Sequence, residues 1–303
     1  MIKRNQWIRL ISVVLVLALL VCTWVPVVSA ADRGMDYREY RPEMKRPEGP
    51  QWTEQKITCQ SGENTLRGTM TVPNNVEGQM PVAVLLHGLN TDRTWCDDIA
   101  WILADNGIAS VRFDFAGCGE SDGAQEDMAV STEVQDTIAI LDYVEDLSIT
   151  DPDNILVVGK SMGAVDAVLA SQSRGDEIKA MCLWYPGFGV TDAAQHGFLL
   201  GTPFNPRNPP ERLEIGGYTF GRTFLKEIQV LDIEDACAQY EGPVMILHGT
   251  EDFVAPIEYS FQIEHVFQDC TLNVVPGGFH GFFGFQEMAA LNDMLEFFEA
   301  NID

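Results

Sequence analysis

Residues 155–170 read ILVVGKSMGAVDAVLA. The four aliphatic residues before Gly159 form a short apolar run of the length of a buried strand, and residues 164–172 carry helical spacing. Strand, Gly159-Lys160-Ser161-Met162-Gly163 and helix in direct succession describe a tight turn that throws the Ser161 hydroxyl out at the C-terminal edge of a sheet. The two glycines belong to the pattern because side chains there would collide with a neighbouring strand and helix. The same turn aims the backbone N–H of Met162, at the helix N-terminus, toward a point where negative charge could develop.

Working outward, the chain repeats this rhythm. Residues 82–86 (VAVLL) are a buried run that ends at His87-Gly88. A helix over 95–106 stops at Gly107, and 108–113 is the next strand. A helix over 132–147 places Val134, Ile138, Leu141 and Val144 on one face, with Ser131 as its expected cap. Residues 180–184, 244–247 and 272–275 read as further buried strands, and 288–298 as a last helix. Near the front, 55–59 and 66–72 alternate like two paired strands. Continuous apolar strands interleaved with helices imply an α/β fold whose mostly parallel sheet is covered on both faces. The stretch 187–229 breaks the rhythm with four prolines, many glycines and no clean period. Its aromatic residues (Phe188, Phe198, Phe204, Tyr218, Phe220 and Phe224) argue for packing, so it reads as a lid insertion. The plainer alternative is a surface excursion that touches no ligand.

Composition sets the class. The chain has 303 residues, 46% hydrophobic and 21% charged, which excludes a disordered chain and fits one large domain over 51–303. A net charge of −26 opposes binding to nucleic acid or to anionic lipid. Lys3, Arg4 and Arg9 precede an apolar run over 10–25 and the small-residue sequence Val28-Ser29-Ala30. Residues 1–30 therefore read as a secretory signal cut after Ala30, or alternatively as an uncleaved membrane anchor, and the expected location is extracytoplasmic. Residues 31–50, rich in charge and proline, read as a flexible leader. Beyond the signal stand Cys59, Cys96, Cys118, Cys182, Cys237 and Cys270. Topology suggests Cys237 with Cys270 and Cys96 with Cys118 as disulfide candidates, and the lack of any CxxC spacing argues against zinc.

A serine hydroxyl barely ionises at neutral pH, so Ser161 needs a base and the base an orienting acid. Asp252, in His248-Gly-Thr-Glu-Asp252, follows the strand at 244–247, and His280, in Pro276-Gly-Gly-Phe-His280-Gly, follows that at 272–275. Both therefore reach the sheet edge that carries Ser161. Glu251 is the rival acid. His87 and His248, each ending a strand, read as structural donors, while His196 falls in the insertion and His265 in a helix. His87-Gly88-Leu89 directly follows the strand at 82–86, so the N–H of Leu89 is a second donor to pair with that of Met162.

With these residues in place the chain resembles the α/β-hydrolase superfamily from about residue 55 to 302. The segments LLHGLN, RFDFAGCGESDG, GKSMGA, HGTEDFVAP and PGGFHGF are similar to its cinnamoyl/feruloyl-esterase-like and serine-aminopeptidase-like branch. The resemblance implies an eight-stranded sheet with a lid inserted after strand six, and carboxylic-ester hydrolysis of a small-molecule substrate without a cofactor or metal. It implies Ser161, Asp252 and His280 as catalytic triad and Leu89 and Met162 as oxyanion donors. Asp192 sits where the branch's hydroxycinnamate esterases hold a phenolic hydroxyl, whereas the partner position near Leu200 is apolar here. Two other readings stay open: a serine aminopeptidase-like peptidase with Glu251 or Asp192 holding the substrate ammonium, and a non-catalytic binding protein on the same scaffold.

Overall fold

The strands at the centre of the sheet are mostly aliphatic because both of their faces are covered. The computed structural model describes residues 51–302; the signal or anchor expected over 1–30 and the leader over 31–50 lie outside the described residues. The chain opens with β1 (Trp52–Ser61), β2 (Asn64–Pro73) and β3 (Met80–Leu86). Helix α1 (Asp97–Asp105), β4 (Ala109–Phe113), α2 (Val130–Glu145), β5 (Thr150–Lys160), α3 (Met162–Arg174) and β6 (Ala180–Trp184) follow. Next come α4 (Val190–Gln195), the short strands β7 (Phe198–Leu199), β8 (Thr202–Pro203), β9 (Arg212–Ile215) and β10 (Tyr218–Gly221), and α5 (Arg222–Glu227). The last elements are α6 (Ile233–Gln239), β11 (Val244–Gly249), α7 (Glu258–Ile263), β12 (Cys270–Val275) and α8 (Phe285–Asn301).

Eight strands form one sheet in the order β1-β2-β4-β3-β5-β6-β11-β12. Pairing is antiparallel from β1 to β2 and β2 to β4, and parallel across the rest. This is the α/β-hydrolase sheet that the resemblance implied. Along each central strand the side chains alternate between two apolar clusters. Val82, Val84, Ile155, Val157, Met181, Leu183, Val244 and Ile246 pack on one face with α2, α3 and α6. Ala83, Leu85, Leu156, Val158, Cys182, Met245 and Leu247 pack on the other with α1 and α8. Each Val, Leu, Ile or Met among them contributes about 1.5–3 kcal/mol on full burial. The chain order reverses at β3 and β5, which places the ends of these two strands side by side at the crevice such sheets use for ligands.

The insertion is folded rather than loose. Leu200 and Gly201, both at positive φ (46° and 75°), turn β7 into β8, and Gly216 and Gly217 (59° and 90°) turn β9 into β10. Two consecutive positive-φ residues make the type I′ turn whose twist suits a hairpin. Phe188, Phe220 and Phe224 are buried, and Phe204 and Tyr218 pack partly, while Phe198 stays exposed. Side chains tie the segment down: the Ser131 hydroxyl and N–H donate to the Glu227 carboxylate at 2.8 and 2.9 Å, and the Thr219 N–H donates to Gln125 Oε1 at 2.7 Å. Ser131 therefore does not cap α2 as expected. The helix starts two residues earlier, at Val130, and the Thr132 hydroxyl accepts from the Ala129 N–H at 2.9 Å, leaving Ser131 free to hold the insertion.

The expected cross-links are absent: all six cysteines among the described residues are free thiols. Cys96 belongs to the cluster on one face of the sheet and Cys118 to that on the other, so the sheet itself separates them. Cys237 and Cys270 lie against the same cluster without a bond. His265 lies in the turn after α7 rather than in the helix.

Helices α2 and α3 bury three carboxyl groups: Glu133, Asp136 and Asp166. The Ala116 N–H donates to Asp136 at 2.7 Å, but neither oxygen of Asp166 has a partner among the described residues. Burial, and then the charges of Asp136 and Glu227, push the Glu133 carboxyl up to about 8. Burial, then Glu133 and Asp136, raise Asp166 far above the usual carboxylate range. The folded state thus holds protons that the unfolded chain has released. Stability from this source is complete below the ordinary carboxylate range and lost as pH rises through about 8. Asp166→Asn removes one titrating group at nearly constant volume. It is expected to raise the melting temperature by a few degrees at about pH 9 and by much less at about pH 5, read by calorimetry.

Candidate active site

The elbow is built by close approach. Ser161 takes φ 57° and ψ −114°, a backbone state that a non-glycine residue holds only when its surroundings impose it. Its N–H donates to the Trp184 carbonyl and its carbonyl accepts from the Gly187 N–H, each at 3.0 Å. A Cβ on Gly163 would fall 2.5 Å from the carbonyl oxygens of Leu86 and His87, and one on Gly159 would fall 2.5 Å from the Ala164 Cα. The helix therefore sits hard against the ends of β3 and β5.

Three chain segments then meet. The Ser161 hydroxyl lies 3.0 Å from His280 Nε2, and His280 Nδ1 lies 2.8 Å from Asp252 Oδ2. The other Asp252 oxygen accepts the N–H groups of Val254 and Ala255 at 2.9 and 2.8 Å. Asp252 is buried and the rival Glu251 beside it is exposed. Burial by itself would raise the Asp252 carboxyl. The charge of His280, the neighbouring His248 ring, and hydrogen bonds from His280 and the Ala255 N–H outweigh it and hold the group well below the usual carboxylate range. The acid and histidine loops are laced together: the Glu251 N–H donates to Gly278 O at 2.9 Å, and the Gly277 N–H to Thr250 Oγ1 at 2.8 Å. Gly249 and Gly278 cross so closely that a Cβ on either would strike the other's backbone.

Leu89 stands in the turn after β3, and a Cβ on the preceding Gly88 would come 2.9 Å from the Ser161 Cβ. Met162 is the first residue of α3, so its N–H is one of the donors a helix leaves free. His87, fully buried, holds this turn: Nδ1–H donates to the Gly88 carbonyl at 2.9 Å, and Nε2 accepts from the Phe115 N–H at 3.2 Å. Burial keeps that imidazole neutral by lowering its pKa.

Asp192 lies on α4 with its carboxylate already engaged. The Tyr259 hydroxyl donates to it at 2.7 Å, which with burial pushes the phenol up to about 12. Among the described hydrogen bonds none joins Asp192 to Ser161, His280 or Asp252. Leu200 occupies the β7–β8 turn and packs partly against the larger of the two apolar clusters.

No spacing or motif announces the wall behind His280. Tyr185 lies 4.9 Å and Trp95 6.4 Å from its ring centroid. Lys160 is buried there, donating to the Trp95 carbonyl at 2.7 Å and lying 4.6 Å over the Trp95 ring. The cation thus meets an aromatic face and a carbonyl in place of water.

Comparison with known proteins agrees with this architecture. The sequence profile of the family described as Serine aminopeptidase, S33 matches residues 79–207. The human protein Palmitoyl-protein thioesterase ABHD10, mitochondrial, is 27% identical over 172 residues, covering 52% of this chain and 51% of that protein. The chain thus spans about half the length of the curated relatives it matches. The structure of Est1E from Butyrivibrio proteoclasticus with ferulic acid bound is similar at a TM-score of 0.75 and 27% identity, over 79% of this chain and 98% of that one. The mouse alpha/beta hydrolase domain-containing protein 10 shares the fold at a TM-score of 0.61 and 20% identity, over 81% and 97%.

The elbow's geometry carries its own test. Gly163→Ala would drive a methyl group into two carbonyl oxygens, and overpacking of this kind costs about 1–3 kcal/mol or more. The variant is expected to melt several degrees lower and to lose labelling of Ser161 by a fluorophosphonate, read by calorimetry and by gel. From its doubly covered sheet, the strand-turn-helix at Ser161 and these relatives together, the chain has the α/β-hydrolase fold and is similar to the feruloyl-esterase-like branch of that superfamily.

Proposed function

We propose that this hydrolase cleaves carboxylic esters through an acyl-enzyme on Ser161, with His280 as general base and Asp252 as its orienting acid. The observation that carries the reading is the unbroken path of Ser161 Oγ, His280 Nε2, His280 Nδ1 and Asp252 Oδ2 at 3.0 and 2.8 Å. A carboxylate that accepts Nδ1–H leaves Nε2 as the acceptor, which is the tautomer a base needs.

In the first step the Ser161 oxygen attacks the carbonyl carbon while its proton passes to His280 Nε2. The tetrahedral oxyanion is held by the N–H groups of Leu89 and Met162, each such donor contributing about 2.7–4 kcal/mol. The imidazolium returns its proton to the leaving alcohol as the C–O bond breaks, and an acyl-Ser161 ester remains. Water then enters, gives a proton to Nε2 and releases the acid, and Ser161 recovers its hydrogen. These groups complete the cycle with their own protons.

For substrate, the reading is a small aryl or acyl ester, with the hydroxycinnamoyl class as the specific proposal and 187–229 as the lid that shapes the pocket. The relative that acts as a palmitoyl-protein thioesterase supports thioesters within the same acyl-enzyme chemistry. The second reading is a peptidase, favoured by the family description Serine aminopeptidase, S33, with Glu251 or Asp192 holding the substrate ammonium; one Asp192 oxygen already accepts from Tyr259. Export through residues 1–30 remains part of the proposal.

Ser161→Ala is expected to lower turnover of a p-nitrophenyl ester by at least about 10³-fold, and a variant with wild-type rate would overturn the assignment. Because Asp252 stays charged well below the usual carboxylate range, the acid limb of the kcat/KM profile should follow a single proton, that of the base. A limb with a two-proton slope would contradict this. A panel of aryl esters, acyl thioesters and aminoacyl naphthylamides separates the substrate classes.

A further inference from the structure

The Asp252 carboxylate touches a second imidazole. His248, the fifth residue of β11, has no exposed surface. Its Nε2 is 2.7 Å from the Ala255 carbonyl and 3.3 Å from Asp252 Oδ2, the oxygen that also receives the His280 Nδ1–H. A carbonyl only accepts, so Nε2 carries a hydrogen. In the neutral ring this leaves Nδ1 to accept from the Ser260 hydroxyl, 2.7 Å away and itself fully buried on α7. The five groups form one path: Ser260, His248, Asp252, His280, Ser161. Ala255 closes it, its N–H given to Asp252 Oδ1 and its carbonyl taken by His248.

We propose that His248 is a positioning residue for the reaction: its Nε2–H holds the carbonyl of Ala255, the residue whose N–H grips Asp252 Oδ1, its ring stands 3.3 Å from Asp252 Oδ2, and Ser260 fixes the tautomer of His248. The inference rests on the reading of Ser161, Asp252 and His280 as the triad. A histidine that merely ended its strand would not share Ala255 with Asp252; that shared residue and the 3.3 Å approach of the ring to Oδ2 are what couple it to the site. Lacking exposed surface, His248 meets no substrate, so its effect falls on kcat and not on KM. Hydrogen bonds of this kind, one residue removed from the reacting atoms, orient the groups that do the chemistry.

The experiment compares His248→Gln, His248→Asn, His248→Leu and Ser161→Ala in the full chain on a p-nitrophenyl ester, with rates per molecule folded by circular dichroism. Glutamine can place an amide N–H near the position of Nε2, whereas asparagine reaches only that of Nδ1 and leucine supplies neither. The Asn and Leu variants are expected to lose about tenfold or more in kcat with KM within about twofold, and Gln to stay within about threefold of the wild-type kcat. Equal kcat for Gln and Asn, or a loss carried by KM, overturns the proposal. A Ser161→Ala protein at wild-type rate would sink the triad reading itself. A dead Ser161→Ala protein beside His248 variants at full kcat would sink only the role of His248. If the Leu variant does not fold, the Gln and Asn pair decides. Ser260→Ala, which keeps the ring and removes one contact, is expected to lower kcat several-fold, and an unchanged kcat removes Ser260 from the arrangement.

Discussion

Taking a carboxylate out of water costs several kcal/mol unless its lone pairs are filled and a cation can form beside it. At Asp252 both conditions hold. Two backbone N–H groups fill Oδ1, the His280 ring donates to Oδ2, and the His248 ring stands 3.3 Å from it. The charge that results is buried and fixed in direction, so it can orient one ring tautomer and stabilise a positive charge on it. The geometry at Ser161 has chemical meaning only because that charge is in place.

The second constraint is distance. Parallel strands in register, with Lys160 opposite Trp184, Trp184 opposite Leu247 and Leu247 opposite Asn273, carry their loops to one edge of the sheet. Glycines then let the loops pass within contact of one another, Gly163 against the end of β3 and Gly249 against Gly278. Behind His280 the rings of Tyr185 and Trp95 restrict the imidazole, and buried Lys160 ties Trp95 to the elbow. Interiors packed this tightly do not deform gradually, which is why a single methyl group at the elbow matters.

The insertion shows how context redirects a local preference. Ser131 precedes an apolar helical stripe and has the chemistry of a cap, yet its hydroxyl is spent on Glu227, forty residues beyond the start of the insertion. Asp192 was readable as a polar group near the site, but its hydrogen bond to Tyr259 comes from α7, a helix that no spacing on α4 could announce. The cysteines teach the same lesson: Cys96 and Cys118 follow strands that end at one edge, and the body of the sheet lies between their side chains.

What the sequence determined by itself was local and periodic. Runs of aliphatic residues fixed the strands, helical spacing fixed most of the helices, and residues immediately after strands had to emerge at the C-terminal edge. That is why Ser161, Asp252 and His280 were legible as a group, and why the parallel sheet was legible with them. The tertiary structure alone decided which hydrogen bond each polar group would make, because those partners lie far apart in the chain and meet only once the strands are in register. His248 and Ser260, the aromatic wall, the crossing of Gly249 with Gly278 and the charge held on Asp252 all arise from such meetings.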